Sequence, residues 1–479
     1  MVGLLVIATL AAAGFARAAG AGVPGGLAPG AALGRGAEVG VRIEPPQRIS
    51  LDSPFSGPCT LADPNFSAGI SVETSVAVNP TDANQVLVSW IQDGAATDLV
   101  MASRDGGRTF SRILIPGLSQ CTGGRAQGAS DPGVAFAADG RTAYFSGVGV
   151  DVLSVNPFRP SVTMVASRSS DGGFSWSAPS VIQPAQGQYW DKPILTVDPR
   201  RPNVAYHTHV LRRPPAYNSG YSLLSTTTDG GRTWSVPRTL YDPHTSASWP
   251  ANSAILVNRD GSLLNVFLLA SGTGGSGPAQ ILAARSSDGG RRWGRPVVVG
   301  RTSAFPPSDL VSQSVLETVG AIPSQTVAPN GDVFVAWADP GPSRQASHVA
   351  VARSTDGGRT WTTSPLAVRG QSALPAIAVA ADGTIGLLHY VIAPQSRGNV
   401  WSARVALATT RRFGQGWHDQ AVAGPFNLLT ALSRVRGCCS LGDYVGMAAR
   451  PRGFIAAYPM ARPVAAHAID VYVSRATVP

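Results

Sequence analysis

Five acidic residues each lead into a short apolar run: Glu73, Asp131, Asp191, Glu317 and Asp443, the last followed by Tyr444. The chain of 479 residues has only four glutamates, Glu38, Glu44, Glu73 and Glu317, so two at such positions mark those positions out. Trp190 and Trp249 stand at the same level as these acids. Carboxyl groups beside aromatic faces suit a sugar, whose hydroxyls they bond and whose ring a Trp stacks on. A plainer use competes with this one, in which each acid accepts bonds from backbone N–H groups of the neighbouring unit. A second set of acids, Asp105, Asp171, Asp229, Asp288 and Asp356, sits in repeats of the form Ser/Thr-x-Asp-Gly-Gly. His207 and His209 alternate along one run, but no third ligand accompanies them, so no metal site is expected.

The elements that would position these residues follow from the second set. SRDGGRTF, SSDGGFSW, TTDGGRTW, SSDGGRRW and STDGGRTW recur 58 to 68 residues apart, and Thr410–Trp417 (TRRFGQGW) is a worn sixth copy with Arg412 in place of the Asp. A period of this size means a repeat architecture. Each copy lies between two apolar runs, so it reads as strand, tight turn, strand. The Asp accepts bonds from turn N–H groups, the two Gly supply positive φ, and the Trp or Phe packs between units. These acids are therefore structural. Seven strand–turn–strand units can be counted between residues 71 and 474, and the seventh lacks a fourth strand. A closed ring cannot leave that edge bare. Val41–Ile43 or Gln47–Leu51 is the available donor. The fold class expected is all-β: a β-propeller of seven four-stranded blades closed by an N-terminal strand, with six blades as the alternative.

The S/T-x-D-x-G-x-x-W/F pattern resembles the Asp-box (BNR) repeats of the sialidase superfamily over about residues 70–475. That resemblance implies a ligand site on the face where the inner strands begin, opposite the Asp turns. It implies a Tyr nucleophile paired with a Glu, an Asp acid/base and three Arg that clamp a carboxylate. The matching positions are Tyr444 and Glu317 for the pair, Asp93 or Asp98 for the acid/base, and Arg125, Arg434 and Arg436 for the clamp. Glu73, Asp131, Asp191, Trp190 and Trp249 would line the substrate. One departure is plain: the first inner strand, Ser71–Val76, has no arginine where the family carries one. The implied function is a secreted sialidase-like propeller that binds, and hydrolyses, glycosides. The alternative is a non-catalytic module for a cell-surface glycan or protein.

Composition fits. Gly (54) and Pro (38) are abundant, charged residues make up 14%, and the net charge of +10 is almost wholly arginine, Lys192 being the only lysine. The arginines are scattered, with no basic run and no nucleic-acid module, so a nucleic-acid partner is not expected. Leu4–Ala13 with Ala16–Ala18 reads as a secretory signal peptide, giving residues 1–18 as leader, 19–40 as a Gly/Ala/Pro-rich segment and 41–479 as one propeller domain. The leader run is too short to span a bilayer, and a monomeric extracellular protein without cofactor is expected. Cys59, Cys121 and the pair Cys438–Cys439 lie before the inner strands of blades one, two and seven. Since those blades adjoin in a closed ring, Cys59 and Cys121 are each expected to bond one of the vicinal cysteines.

Overall fold

The computed structural model describes residues 40–479 except 56–58, 60–68, 152–160, 186–187, 214–217, 272–276, 304–315, 317–320, 341–346, 367–369, 394–399, 434–437 and 463–468. Seven antiparallel sheets form a ring: blades one to seven span 71–113, 128–183, 189–241, 248–303, 324–366, 371–427 and 446–477. The innermost strands touch in sequence, and that of blade seven, Gly446–Arg450, meets those of both blade six and blade one. The second strands are mostly buried, and Val86–Gln92 and Ile385–Ile392 along their whole length, because both faces of each sheet are covered by neighbouring blades. Trp90, Trp337 and Trp401 are among the largest fully buried side chains of these cores.

The closing strand comes from the N-terminal side, and both expected donors serve. Arg42–Ile43 pairs with Ala476–Thr477, and Gln47–Arg48 pairs with Tyr472–Val473, on the outer edge of blade seven. Ser50 Oγ donates to Asp470 Oδ1 at 2.8 Å, and the Arg475 guanidinium meets Glu44 at 2.6 Å.

The Asp turns are built alike. In the fifth, Ser354 Oγ donates to Asp356 Oδ1 at 2.8 Å, the N–H groups of Arg359 and Thr360 both reach that oxygen at 2.9 Å, and Thr360 Oγ1 donates to Oδ2 at 2.6 Å. Gly357 and Gly358 hold φ of 72° and 89°, conformations that favour glycine. In the third turn the Thr233 hydroxyl and N–H hold the Asp229 carboxyl down at about 2. These carboxylates are consumed by their own turns.

The disulfide pairing differs from the expectation. Cys59 and Cys121 bond each other, with Cα atoms 4.8 Å apart. Cys439 is also disulfide-bonded, and the Cys438 side chain lies outside the described residues.

Candidate functional site

Five inner strands share a device that period-two patterning does not reveal. Their ladder registers shift between Val72 and Ser75, Ser130 and Gly133, Asp191 and Ile194, Ala251 and Ala254, and Ala373 and Ala376. At each shift one residue adopts positive φ: Glu73, Asp131, Lys192, Asn252 and Leu374. Such bulges re-aim a side chain. Here the bulge residues of blades one, two and three come together near the ring axis.

Lys192 is the centre of the result. Its Nζ lies 2.6 Å from Asp443 Oδ2, 3.6 Å from Asp131 Oδ2 and 3.9 Å from Asp191 Oδ1. Asp443 belongs to the lead-in of blade seven, so the ammonium spans the ring. Glu73 Oε1 accepts from the Asp443 N–H at 3.1 Å, and Ser130 Oγ donates to Asp131 Oδ1 at 2.7 Å. Gly442 permits the close approach: a Cβ there would lie 2.3 Å from Glu73 Cγ. Asp98 stands behind, fully buried, with neither carboxyl oxygen hydrogen-bonded among the described residues. The sequence offered one signal for this centre, the only lysine of the chain in an Asp-Lys-Pro lead-in.

The electrostatics divide the acids. Burial pushes the Glu73 carboxyl well up, with Lys192 pulling against it and Asp131 and Asp443 adding to it. Burial, then Asp131 and Glu73, raise Asp98 well above the usual range. Burial raises Asp191 to about 6 although Lys192 opposes it. The lysine loses to desolvation but gains more from its four carboxylates, so its own value rises. Lys192 is therefore a firm cation among acids that do not all ionise together.

The expected residues are distributed as follows. Glu73, Asp131, Asp191, Asp443 and Tyr444 come together, the Tyr444 hydroxyl donating to the Pro132 carbonyl at 3.4 Å. Burial, Glu73 and Asp131 raise the Tyr444 phenol well above its ordinary value. That environment keeps the proton on and runs against a nucleophilic role. Glu317, Arg434 and Arg436 lie outside the described residues. Arg125 is exposed. Asp93 accepts from the Gly69 N–H at 2.7 Å and Gln92 Nε2 at 2.8 Å, and from Ser53, so it ties the lead-in of blade one to its second strand. Trp190 and Trp249 are corrected from sugar platforms to core. Both are buried; Trp190 meets His209 edge-on with centroids 5.5 Å apart, and the Arg212 guanidinium covers Trp249 at 3.6 Å. Among the described residues no group of His, Cys, Asp or Glu is arranged to hold a metal.

No family model and no curated protein matches the chain. Among solved structures, a PL25 ulvan lyase, described as a polysaccharide lyase, is similar with a TM-score of 0.51 at 12% identity over 85% of this chain and 94% of that one. A Hadza microbial sialidase gives 0.47 at 13% identity over 84% and 74%. An α-L-arabinofuranosidase of Fusarium graminearum gives 0.47 at 12% identity over 91% and 98%. What the chain shares with the lyase is the propeller fold.

Proposed function

We propose that the chain is a secreted, carbohydrate-active propeller that acts on neutral rather than sialylated glycosides at the Lys192 cluster. The observation that carries the reading is a pair of carboxyls flanking one ammonium, Asp191 from blade three at 3.9 Å and Asp443 from blade seven at 2.6 Å. Asp191, raised to about 6 by burial, is suited to give a proton to a departing glycosidic oxygen. Asp443, ion-paired with Lys192, is suited to stabilise the developing positive charge or to activate water. The charges that act most strongly on Tyr444 are Glu73, Asp131, Lys192 and Asp98, none of them arginine, so an anionic sugar would meet repulsion at this point. In this reading residues 1–18 are a secretory leader and the propeller acts as a monomer. No helix among the described residues is long and apolar enough to cross a membrane.

The test is hydrolysis of a panel of neutral and sialylated aryl glycosides by the wild type, Asp191→Asn and Tyr444→Phe. Turnover of neutral glycosides, falling as pH rises through about 6 and lost in Asp191→Asn, is expected. Sialoside turnover that needs Tyr444 would sink the proposal. A binding-only reading is favoured by one observation: the Lys192 side chain is only 3% exposed, so the cluster also works as a lock across the ring. Binding of neutral glycans without turnover would select it.

A further inference from the structure

The face that carries the Asp turns has one irregular place. In blades one to five the second glycine of the turn lies hard against the preceding blade. A Cβ at Gly107, Gly173, Gly231, Gly290 or Gly358 would come within 2.5 to 3.0 Å of a neighbouring side chain. At Gly414, the equivalent in blade six, nothing lies within 4 Å. The cause is in the sequence: Arg412 replaces the Asp and Phe413 the first glycine. With no carboxylate to bond, the Thr410 hydroxyl turns to the carbonyl oxygens of Arg412 and Gln415, each at 3.1 Å. Phe413 lies edge-on to Phe334 of blade five, centroids 5.9 Å apart. The turn stands off, and a cleft of about 510 Å³ opens between blades five and six.

The charges lining that cleft do not cancel. Arg353 is paired with Asp332 at 2.6 Å, and Arg411 with Asp382 at 3.1 Å, Arg411 also reaching the Pro479 carbonyl at 3.5 Å. Arg412 lines the same cleft, is exposed, and its guanidinium has no hydrogen bond or ion pair among the described residues. A planar fork left over after two neutralised pairs is suited to one oxyanion. We propose that this cleft binds the oxyanion of an acidic glycan, a sulfate ester or a uronate carboxylate, on Arg412. The oxyanion part stands on the charges alone, and the glycan part rests on the carbohydrate reading above.

The test is calorimetric titration of the full chain with an oligogalacturonate, a sulfated oligosaccharide and a neutral oligosaccharide of equal length. At least one acidic ligand binds in a step that depends on Arg412, and any binding of the neutral one at the Lys192 cluster is the same in Arg412→Ala as in the wild type. Arg412→Ala weakens binding of the acidic ligand about ten- to hundredfold, the worth of one charge-assisted hydrogen bond. Arg412→Asp, which restores the acid of the other turns and reverses the local charge, abolishes it while leaving urea unfolding no weaker. Asp191→Asn keeps the binding, which separates this site from the Lys192 cluster. No binding of either acidic oligomer, or an acidic-oligomer affinity unchanged in Arg412→Ala, would overturn the proposal.

Discussion

Replacing Lys192 by Met keeps most of the apolar stem of the side chain and removes the one cation that Asp443, Asp131 and Asp191 share within 3.9 Å. Removing one partner from a buried ion pair costs about 3–5 kcal/mol, because the other charge stays buried. The cost must depend on pH. Asp191 is already raised to about 6 by burial with Lys192 pulling it down, and Glu73 is raised in the same way. Without the ammonium both rise further. A carboxyl whose folded value lies above its unfolded value, near 4, binds protons in the native state that the unfolded chain does not. Its stability contribution is therefore present at low pH and lost as pH rises. The variant should fall short of the wild type by about 3–5 kcal/mol near pH 8, and by less than about half of that near pH 5. Urea unfolding at the two pH values measures this. Adding Asp443→Asn should recover part of the loss, as a coupled pair requires. A deficit that is the same at both pH values, or under about 1 kcal/mol at pH 8, would refute the account of Lys192 as the counter-ion of these acids.

Asp98 is raised by burial, so it costs stability at neutral pH; Asp98→Asn should raise the unfolding free energy near pH 7, read by urea denaturation. His207 is lowered to about 3 by burial, so its contribution is full above the unfolded value near 6.5 and falls with pH below it. Between pH 6.5 and 5, His207→Phe should lose about 2 kcal/mol less than the wild type in chemical unfolding. Asp229→Asn should cost about 1 kcal/mol near pH 7, as for a lost helix cap, and nothing once pH has fallen through about 2. Cys121→Ser opens a bridge spanning 62 residues and should lower stability by about 2–4 kcal/mol, read by the same denaturation curves.

The ring was legible because its signals are local. Each Asp-Gly-Gly turn encodes its own hydrogen bonds, so counting turns and the strands between them gives the blade number and the bare edge of the seventh. The acids at the inner-strand starts were legible by position for Glu73, Asp131, Asp191 and Asp443. Their meeting was not, because it depends on bulges that insert a positive-φ residue into five strands, which alternation of side chains does not encode. Lys192 reads as an ordinary lead-in residue until the bulge turns it inward. Trp190 and Trp249 stood at the right level but on the wrong side of their strands, facing the neighbouring sheets. The cysteine pairing was not legible because adjacency of blades seven, one and two leaves several partners within reach.

The strand that closes blade seven also sets the order of events as the chain is made. Ser50 bonds Asp470 across 420 residues of sequence. At about 5–20 residues per second, the early segment waits on the order of 20–80 s before its partner has been synthesised. Blades one to six can form meanwhile, each from contiguous chain, but the ring cannot close. During that interval the inner strand of blade one presents Glu73 without the lead-in of blade seven, and Lys192 has Asp131 and Asp191 but no Asp443. Blade seven thus brings both the partner of the early strand and the missing carboxylate, and assembly of the central cluster coincides with completion of the circle.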